Sequence, residues 1–255
     1  MYLIFFGLVI YRTMVKPPFV RAGGKTTMKE VILPLIPDHK TYVEPFFGGG
    51  AIFWNKEPAE RNVINDIDKE VIKGIKLLKK APTEESAYSN PTTIEAAQRF
   101  VNASHSSTAD KLLKQIILTK GTFGGSGKGK IYKSQPFRDN LLRHIDEYKD
   151  RLKNTKIYSQ DYRGLISYYD SPSTFFFLDP PYEKSEGIYD NPNIDYEDMA
   201  KRLKKIKGKF LLTMNDSKGV RDVFKDFKIK GLTVVSGGSG QAPTSRRKEV
   251  IIRNY

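Results

Sequence analysis

One nine-residue segment restricts the possible folds of this 255-residue chain: Thr174 to Tyr182 reads Thr-Phe-Phe-Phe-Leu-Asp-Pro-Pro-Tyr. An uninterrupted apolar run of this kind is typical of a strand that is buried on both faces of a parallel sheet. In such sheets ligands bind beyond the carboxyl ends of the strands, which is where residues 179–182 would lie. The prolines fix φ and remove two backbone donors, so we expect a rigid corner with the Pro180 carbonyl available as an acceptor. A strand followed by a proline-stopped loop is the alternative for the proline pair alone.

A second motif combines a strand, three glycines and a later carboxylate. Residues 42–47 form an extended segment that runs into glycines 48–50, and residues 51–54 then predict the start of a helix. Glycines at such a turn allow a ligand to approach the backbone closely. A second short strand lies in residues 62–68 and carries Asp66, 16 residues after the last glycine. An acidic side chain at this spacing can bind the ribose hydroxyls of a nucleoside.

The charge of the chain indicates a polyanionic partner. The net charge is +14, the sign expected for a protein that binds phosphates. Residues 111–158 contain 12 Lys or Arg but only 4 Asp or Glu. A charge run is usually a solvated face, but between residues 121 and 133 this one alternates with glycine and aromatic residues. We therefore predict nucleic-acid contact here. The candidate residues are Lys128, Lys130, Tyr132 and Lys133.

The same glycine-rich stretch partly fits a nucleotide-binding P-loop. Gly124, Gly129 and Lys130 satisfy G-x-x-x-x-G-K, but Ile131 stands where the pattern needs a hydroxyl to bind magnesium. The apolar residues that precede it, from 112 to 117, have helical rather than strand spacing. A flexible loop or hairpin with lysines spaced for a DNA backbone is the better interpretation.

Strand and helix patterns alternate along most of the chain, which predicts an α/β fold. A helix is predicted over Tyr196 to Ile206. Residues 82–90, which begin with proline and are rich in serine and glutamate, mark a boundary into a mainly helical insertion that runs through Arg151. The predicted strands are Tyr42–Phe47, Val63–Ile67, Ile157–Ser159, Thr174–Leu178, Lys209–Met214, Leu232–Ser236 and Glu249–Arg253.

Taken in order, these motifs resemble the DNA adenine methyltransferase family that includes the Dam enzymes. The resemblance rests on Arg21-Ala22-Gly23-Gly24-Lys25, the glycine turn, Asp66, the basic stretch and Asp-Pro-Pro-Tyr, and covers most of residues 19 to 255. It implies the alpha-type order: a Rossmann-like, S-adenosylmethionine-dependent methyltransferase sheet with an inserted, mainly helical target-recognition domain. The expected domains are residues 17–81 with 157–255 for catalysis and residues 82–156 for DNA recognition.

The resemblance also implies which residues bind the cofactor. Lys25 and its neighbouring glycines would contact the amino-acid end, residues 46–50 would form the floor, and Asp66 would bind the ribose. Asp161 and Tyr162 match the place where the family contacts the cofactor's adenine. Arg21 departs from the family, which often has an aromatic residue there, although a guanidinium plane can stack too. The full predicted set is Arg21, Gly23, Gly24, Lys25, Glu44, Pro45, Phe46, Phe47, Gly48, Gly49, Gly50, Asp66, Ile67, Asp161, Tyr162 and Asp179.

The expected reaction is methyl transfer to the exocyclic amine of adenine, with Asp179, Pro180, Pro181 and Tyr182 as the catalytic residues. Asp179 and a proline carbonyl would accept the two amine protons' hydrogen bonds while Tyr182 stacks on a base rotated out of the duplex. The chain has no cysteine, which excludes disulfides, thiolate metal sites and attack by a thiolate on a pyrimidine. Its three histidines are scattered, so no metal site is predicted.

Two alternative functions use the same motifs. A catalytically silent DNA-binding relative would keep the fold without the reaction, and a nicotinamide-dependent oxidoreductase would use the glycine turn without a role for Asp179. Amino-methylating enzymes that act on protein and RNA commonly have asparagine at the position of Asp179. The aspartate in this chain therefore favours DNA as the substrate. The expected partner is double-stranded DNA, with GATC as the default recognition site. The protein is expected to be an intracellular monomer or weak dimer from a bacterium, phage or virus. No membrane binding is expected.

Three further segments have two interpretations each. The apolar run at residues 1–11 is shorter than the ~20 residues that span a bilayer, and it has no signal-peptide features. Either translation starts at Met14 or residues 1–16 add an edge strand. Asn215-Asp216 either borders the substrate pocket or caps a helix. Residues 246–248, Arg-Arg-Lys, either contact phosphate or form a solvated loop base.

Overall fold

Seven strands of the described part of the chain lie in one sheet. The computed structural model describes residues 15–21, 23–125, 127, 129–182, 194–236 and 245–255, so both interpretations of residues 1–14 lie outside it. All seven predicted strands overlap an observed one, which confirms the α/β fold. The strands are β1 Thr41–Glu44, β2 Arg61–Asn65, β3 Thr155–Tyr158, β4 Thr174–Leu178, β5 Lys209–Asn215, β6 Lys228–Ser236 and β7 Ser245–Arg253.

The strand order is β3-β2-β1-β4-β5-β7-β6. Strands β1 to β5 pair in parallel, whereas β7 is antiparallel to both β5 and β6. From β1 the chain moves outward through β2 to β3, and from β4 it moves outward in the opposite direction to β5. The gap between the carboxyl ends of β1 and β4 is therefore the switch point where ligands bind in open parallel sheets.

Helices cover both faces of the sheet, which explains the unbroken apolar run in β4. Phe175 and Phe177 belong to the hydrophobic core on one face, and Phe176 and Leu178 belong to the core on the other. Every residue of β4 is buried as a result. The α-helices are α1 Lys29–Ile32, α2 Lys69–Lys80, α3 Ile94–Asn102, α4 Thr108–Gly121, α5 Phe137–Leu142, α6 Ile145–Lys153, α7 Tyr162–Tyr169, α8 Tyr196–Leu203 and α9 Lys218–Val223.

Side-chain caps fix where six of these helices begin. Each capping side chain accepts a hydrogen bond from a backbone N–H of the first turn, which otherwise has no partner within the helix. The helical spacing seen before the basic loop is confirmed by α4, and the predicted helix from Tyr196 ends at Leu203. The capping residues are Asp68, Thr93, Ser107, Asp161, Asp195 and Ser217.

The helix predicted from Ala51 is wrong: this segment forms successive turns. The Trp54 N–H bonds the Gly50 carbonyl at 3.0 Å and the Lys56 N–H bonds the Ile52 carbonyl at 2.9 Å, without a continuous ladder. The buried guanidinium of Arg151 in α6 instead donates to the carbonyls of Phe53 and Lys56. These carbonyls are satisfied from outside the segment, so the chain need not continue as a helix.

Helices α3 to α6 lie between α2 and β3 in the chain and share one hydrophobic core with the sheet. Leu112 and Ile116 of α4 and Leu152 of α6 belong to the same cluster as Tyr42 and Phe175. The helical character expected for this region is present, and its role as a separate recognition domain stays a prediction. Among the described residues, no helix combines the length and apolar character needed to cross a membrane.

Candidate active site

Asp179 follows β4 at the switch point, and two side chains of the protein contact its carboxylate. Its Oδ1 lies 2.7 Å from the Nζ of Lys25 and accepts a hydrogen bond from the Thr213 hydroxyl at 2.8 Å. The Lys25 ammonium also donates to the Gly23 carbonyl at 2.9 Å, and its side chain is 4% exposed. Within the described chain no donor contacts the second oxygen, Oδ2. Asp179 is thus oriented through one oxygen and retains the other as an acceptor.

The rest of the Asp-Pro-Pro-Tyr corner is held from two further elements. The Tyr196 hydroxyl of α8 donates to the Pro181 carbonyl at 2.5 Å, and the Tyr182 hydroxyl donates to the Glu249 carboxylate of β7 at 2.8 Å. Pro180 is buried, and no donor among the described residues contacts its carbonyl. Burial, and after it the charge of nearby Asp179, raises the pKa of Tyr182 well above its ordinary value. Tyr182 therefore stays a neutral hydrogen-bond donor.

Lys25 connects this corner to the N-terminal motif. Its ammonium lies 4.9 Å from the centroid of the Tyr182 ring, at a distance where a cation is attracted to the ring face. The same ammonium contacts Asp179, so the Ala-Gly-Gly-Lys and Asp-Pro-Pro-Tyr motifs meet although more than 150 positions separate them. Arg21 of the same motif pairs with Asp68, its Nη2 2.5 Å from Oδ2.

The glycine turn faces Asp66 at the end of β2. Gly48 and Gly50 have φ of 50° and 68°, a left-handed conformation that glycine adopts readily. The Gly48 N–H donates to Asp66 Oδ2 at 2.7 Å, and the Asp68 N–H donates to Oδ1 at 2.9 Å. A Cβ on Gly48 would meet no atom within 4 Å, whereas one on Gly49 would lie 2.9 Å from the Phe19 carbonyl oxygen. Gly48 thus borders open space beside a fixed carboxylate.

Asp66 is ordered by these backbone donors and is partly buried. Burial raises its pKa, while the hydrogen bonds from Asp68 and Gly48 oppose this effect. A carboxylate offers about four lone-pair sites, so each oxygen keeps one after accepting a single N–H. Ile67, the next residue, is 53% exposed and presents an apolar surface beside this carboxylate.

Three of the predicted cofactor residues direct their side chains elsewhere. The buried Phe47 ring packs against the aromatic core, 5.6 Å from the Phe53 centroid, so its backbone alone borders the turn. Asp161 caps α7 and pairs with Arg163 at 2.6 Å, which lowers the pKa of Asp161. Glu44 is buried and accepts a hydrogen bond from the Tyr42 hydroxyl at 2.7 Å.

The inward-facing Glu44 and the nearby Lys56 are both buried, and the charge of each affects the pKa of the other. Burial, together with the charge of nearby Asp179, raises the pKa of Glu44 to about 8. Burial also lowers the pKa of Lys56 to about 7, and its ammonium lies 4.2 Å from the Tyr42 ring centroid. A neutral Glu44 below the corner does not add a second full negative charge beside Asp179.

Sequence reasoning missed Asn65, the last residue of β2. Its amide donates to the carbonyls of Pro45 and Gln160, each at 2.9 Å, and its oxygen accepts from the Gln160 N–H at 2.9 Å. One carboxamide thereby ties the ends of three adjacent strands together. A polar residue at the carboxyl end of a buried strand was the available signal.

Phe46 and Tyr162 extend this edge of the site with an aromatic contact. Their ring centroids lie 5.1 Å apart, and Phe46 is partly buried against the helices of that face. Burial raises the pKa of Tyr162 to about 12, so its hydroxyl is neutral at physiological pH. These two predicted cofactor residues therefore lie together, beside the strand ends that Asn65 joins.

The basic segment exposes most of the side chains predicted to contact nucleic acid. Ile131 is buried and its N–H donates to the Gln98 side chain at 2.9 Å, which anchors the segment to α3. Phe123 is 86% exposed, and a Cβ on Gly125 would lie 2.7 Å from the Val20 carbonyl oxygen, next to Arg21. Lys128 lies outside the described residues. The exposed predicted residues are Lys130, Tyr132 and Lys133.

The predicted absence of a metal site stays a prediction. In the described ranges, no three His, Asp or Glu side chains are grouped so that they could hold a metal ion.

Known proteins resemble this chain over most of its length. A profile of the D12 class N6 adenine-specific DNA methyltransferase family matches residues 22–116 and 118–236. A type II methyltransferase of Lactococcus lactis subsp. cremoris is 24% identical over 273 residues, covering 93% of this chain and 95% of the relative. A type II methyltransferase of Methanocaldococcus jannaschii is 26% identical over 293 residues, covering 94% and 99%. A DNA adenine methylase of Haemophilus influenzae is 24% identical over 265 residues, covering 91% and 90%.

The family match includes the glycine turn, Asp66, the basic segment and the Asp-Pro-Pro-Tyr corner, which are the features that suggested the resemblance. It extends over most of the chain rather than over one motif. The chain belongs to the D12 class of N6 adenine-specific DNA methyltransferases.

Proposed function

We propose that Asp179 and Pro180 bind the exocyclic amine of an adenine that has been rotated out of duplex DNA, and that Tyr182 stacks on its ring. One observation carries this assignment. At the switch point of the sheet, Asp179 Oδ2 and the Pro180 carbonyl are two acceptors that no donor contacts in the described chain, on a corner held by three other elements. An amine with two protons supplies the two donors that these acceptors need.

The acceptors would also activate the amine. The nitrogen lone pair of adenine is delocalised into the ring, so the amine is planar and a poor nucleophile. Hydrogen bonds from its two protons to Asp179 and Pro180 favour the geometry in which the lone pair points away from the ring. The nitrogen would take the methyl carbon as the methyl–sulfur bond breaks and sulfur leaves as a neutral thioether; the nitrogen would then be cationic, and Asp179 is the anion placed to accept the proton that it loses. Positioning of this kind lowers the barrier without a covalent intermediate.

S-adenosylmethionine is the cofactor, and when bound it supplies a methyl group activated by a sulfonium. The residues at the glycine turn fit it. Gly48 leaves open space where another residue would place a Cβ, Asp66 keeps a lone pair on each oxygen for ribose hydroxyls, and exposed Ile67 offers an apolar face to a purine. Lys25 would bind the carboxylate at the amino-acid end. To contact the cofactor, Asp161 would first have to release Arg163.

Duplex DNA would be held by the basic segment. Lys130 and Lys133 are exposed and Tyr132 is 64% exposed, and they lie on both sides of the anchored Ile131. Contacts to the phosphate backbone offset the few kcal/mol that base rotation costs. Exposed Phe123 can enter a base step, as apolar wedges do in other DNA-binding proteins. We assign residues 82–156 to target recognition, in an intracellular monomer or weak dimer of bacterial, phage or viral origin.

Replacement of Asp179 tests the proposal. Asp179→Ala should abolish methyl transfer, whereas Asp222→Ala, which changes an exposed aspartate of α9, should leave it unchanged. The assay follows labelled methyl transfer from S-adenosylmethionine to unmethylated DNA and identifies N6-methyladenine by mass spectrometry of digested DNA. Full turnover by Asp179→Ala would exclude the assignment. Sequencing of modified bases in DNA from an expressing host gives the recognition site.

A further inference from the structure

The Tyr182 side chain is held at its backbone and at its hydroxyl. Its backbone continues the Pro-Pro corner, whose Pro181 carbonyl accepts a hydrogen bond from Tyr196. Its hydroxyl donates to Glu249 Oε2 at 2.8 Å, across 67 positions of the chain. This hydrogen bond holds the long axis of the ring, and because a phenolic O–H prefers to lie in the ring plane, an acceptor at a fixed position also favours one orientation of that plane. The direction of the ring face is therefore determined by Glu249 as well as by the corner.

Glu249 is the buried acceptor of this hydrogen bond. It belongs to β7, is 3% exposed, and lies opposite Asn215 of β5 in the antiparallel register. A buried carboxylate is costly unless it accepts hydrogen bonds. In the part of the chain that the structure describes, Asn215 makes no hydrogen bond to Glu249 and its own Oδ1 is buried without a partner. The Tyr182 hydroxyl is thus the described side-chain donor to Glu249.

We propose that Glu249 is a positioning residue for methyl transfer, because it fixes the plane of the Tyr182 ring against the target adenine. This inference rests on the proposed function, in which Tyr182 stacks on the extruded base. Thr213 orients Asp179 from β5 in a similar way. Glu249 and Thr213 would together set the angle between the plane of the base and the acceptors of its amine. A change in this angle misaligns the nitrogen lone pair, which lowers kcat more than the affinity for cofactor.

Four variants separate positioning from other roles. Tyr182→Phe removes only the hydroxyl, Glu249→Ala removes the acceptor, the double variant removes both, and Glu249→Gln keeps an acceptor oxygen. Glu60→Gln, at an exposed glutamate, is the matched control. Each protein is assayed for kcat, for KM of DNA and of S-adenosylmethionine, and for thermal melting. A duplex with 2-aminopurine at the target adenine, in the site found by modified-base sequencing, reports stacking by its fluorescence.

We expect Tyr182→Phe and Glu249→Ala each to lower kcat by at least about tenfold with KM for S-adenosylmethionine unchanged. The double variant should lose no more than either single one, because both remove the same hydrogen bond. Glu249→Gln should recover most of the activity. The 2-aminopurine signal should rise in Glu249→Ala, since a base that is not held by Tyr182 is less quenched.

Three results would overturn the inference. These are multiplicative losses in the double variant, a lower melting temperature of Glu249→Ala with unchanged kcat and fluorescence, and an inactive Glu249→Gln beside a fully active Tyr182→Phe. The last result would mean that the carboxylate itself binds a ligand. If the unaltered protein forms no N6-methyladenine, the proposed function fails instead. The coupling of Tyr182 to Glu249 is then measured by a double-mutant cycle in urea unfolding. If the changes in the free energy of unfolding of the two single variants add up to that of the double variant, Glu249 does not hold Tyr182 either.

Discussion

Gly48→Ala should weaken cofactor binding while the protein stays folded. Gly48 has φ of 50°, so alanine costs about 1–2 kcal/mol of backbone strain. The added Cβ meets no protein atom within 4 Å, so the strain is the main cost to stability. In our assignment the methyl instead enters space that S-adenosylmethionine occupies. Overpacking by one methyl costs roughly 1–3 kcal/mol, which corresponds to a Kd about 5 to 150 times higher.

Calorimetric titration with S-adenosylmethionine and a thermal melt measure these two effects separately. Gly127→Ala is the matched control because Gly127 also has a positive φ, 71°, and open space around a Cβ, but lies in the basic segment. Both variants should lose about 2–8 °C in Tm. Gly50→Ala should lose more, since its Cβ would come 2.3 Å from the Phe47 ring. Equal Kd values for Gly48→Ala and Gly127→Ala would refute the placement of the cofactor beside Gly48.

Three other outcomes are expected. Thr213→Val removes the hydroxyl that orients Asp179 and should lower kcat about tenfold at unchanged cofactor Kd. Glu44 has a pKa of about 8 in the folded state, whereas the carboxyl group of the unfolded chain loses its proton near pH 4.5. The free energy of unfolding should therefore fall from pH 4.5 to 7. Urea unfolding should show a smaller fall in Glu44→Gln. Lys130→Ala with Lys133→Ala should reduce the slope of log K for DNA against log salt by about 1.8.

The strands of the sheet and the ligand-binding end of β4 could be predicted because they depend on local patterns. The apolar run before Asp179 has one structural explanation, burial on both faces, and the corner after it marks the ligand end of the strand. The glycine turn and Asp66 are recognisable for the same reason. Each of these signals lies within a few residues of the strand whose end it marks.

The partners of these residues could not be predicted, because they depend on the order and register of the strands. Thr213 reaches Asp179, and Glu249 reaches Tyr182, only since β5 and β7 follow β4 in the sheet. Likewise, the turns after Gly50 replace a helix because Arg151, about a hundred positions later, satisfies their carbonyls. A local pattern contains no information about such distant donors.

The carboxamide of Asn65 has a consequence for synthesis of the chain. Asn65 joins the end of β1 to Gln160, which lies 95 positions after Asn65, so the intervening helices must leave the ribosome before these hydrogen bonds can form. Loops of this length close against an entropic cost, and contacts between distant positions form late in folding. The nascent amino-terminal half therefore emerges with this edge of the sheet still open, and the edge closes only when β3 joins the sheet.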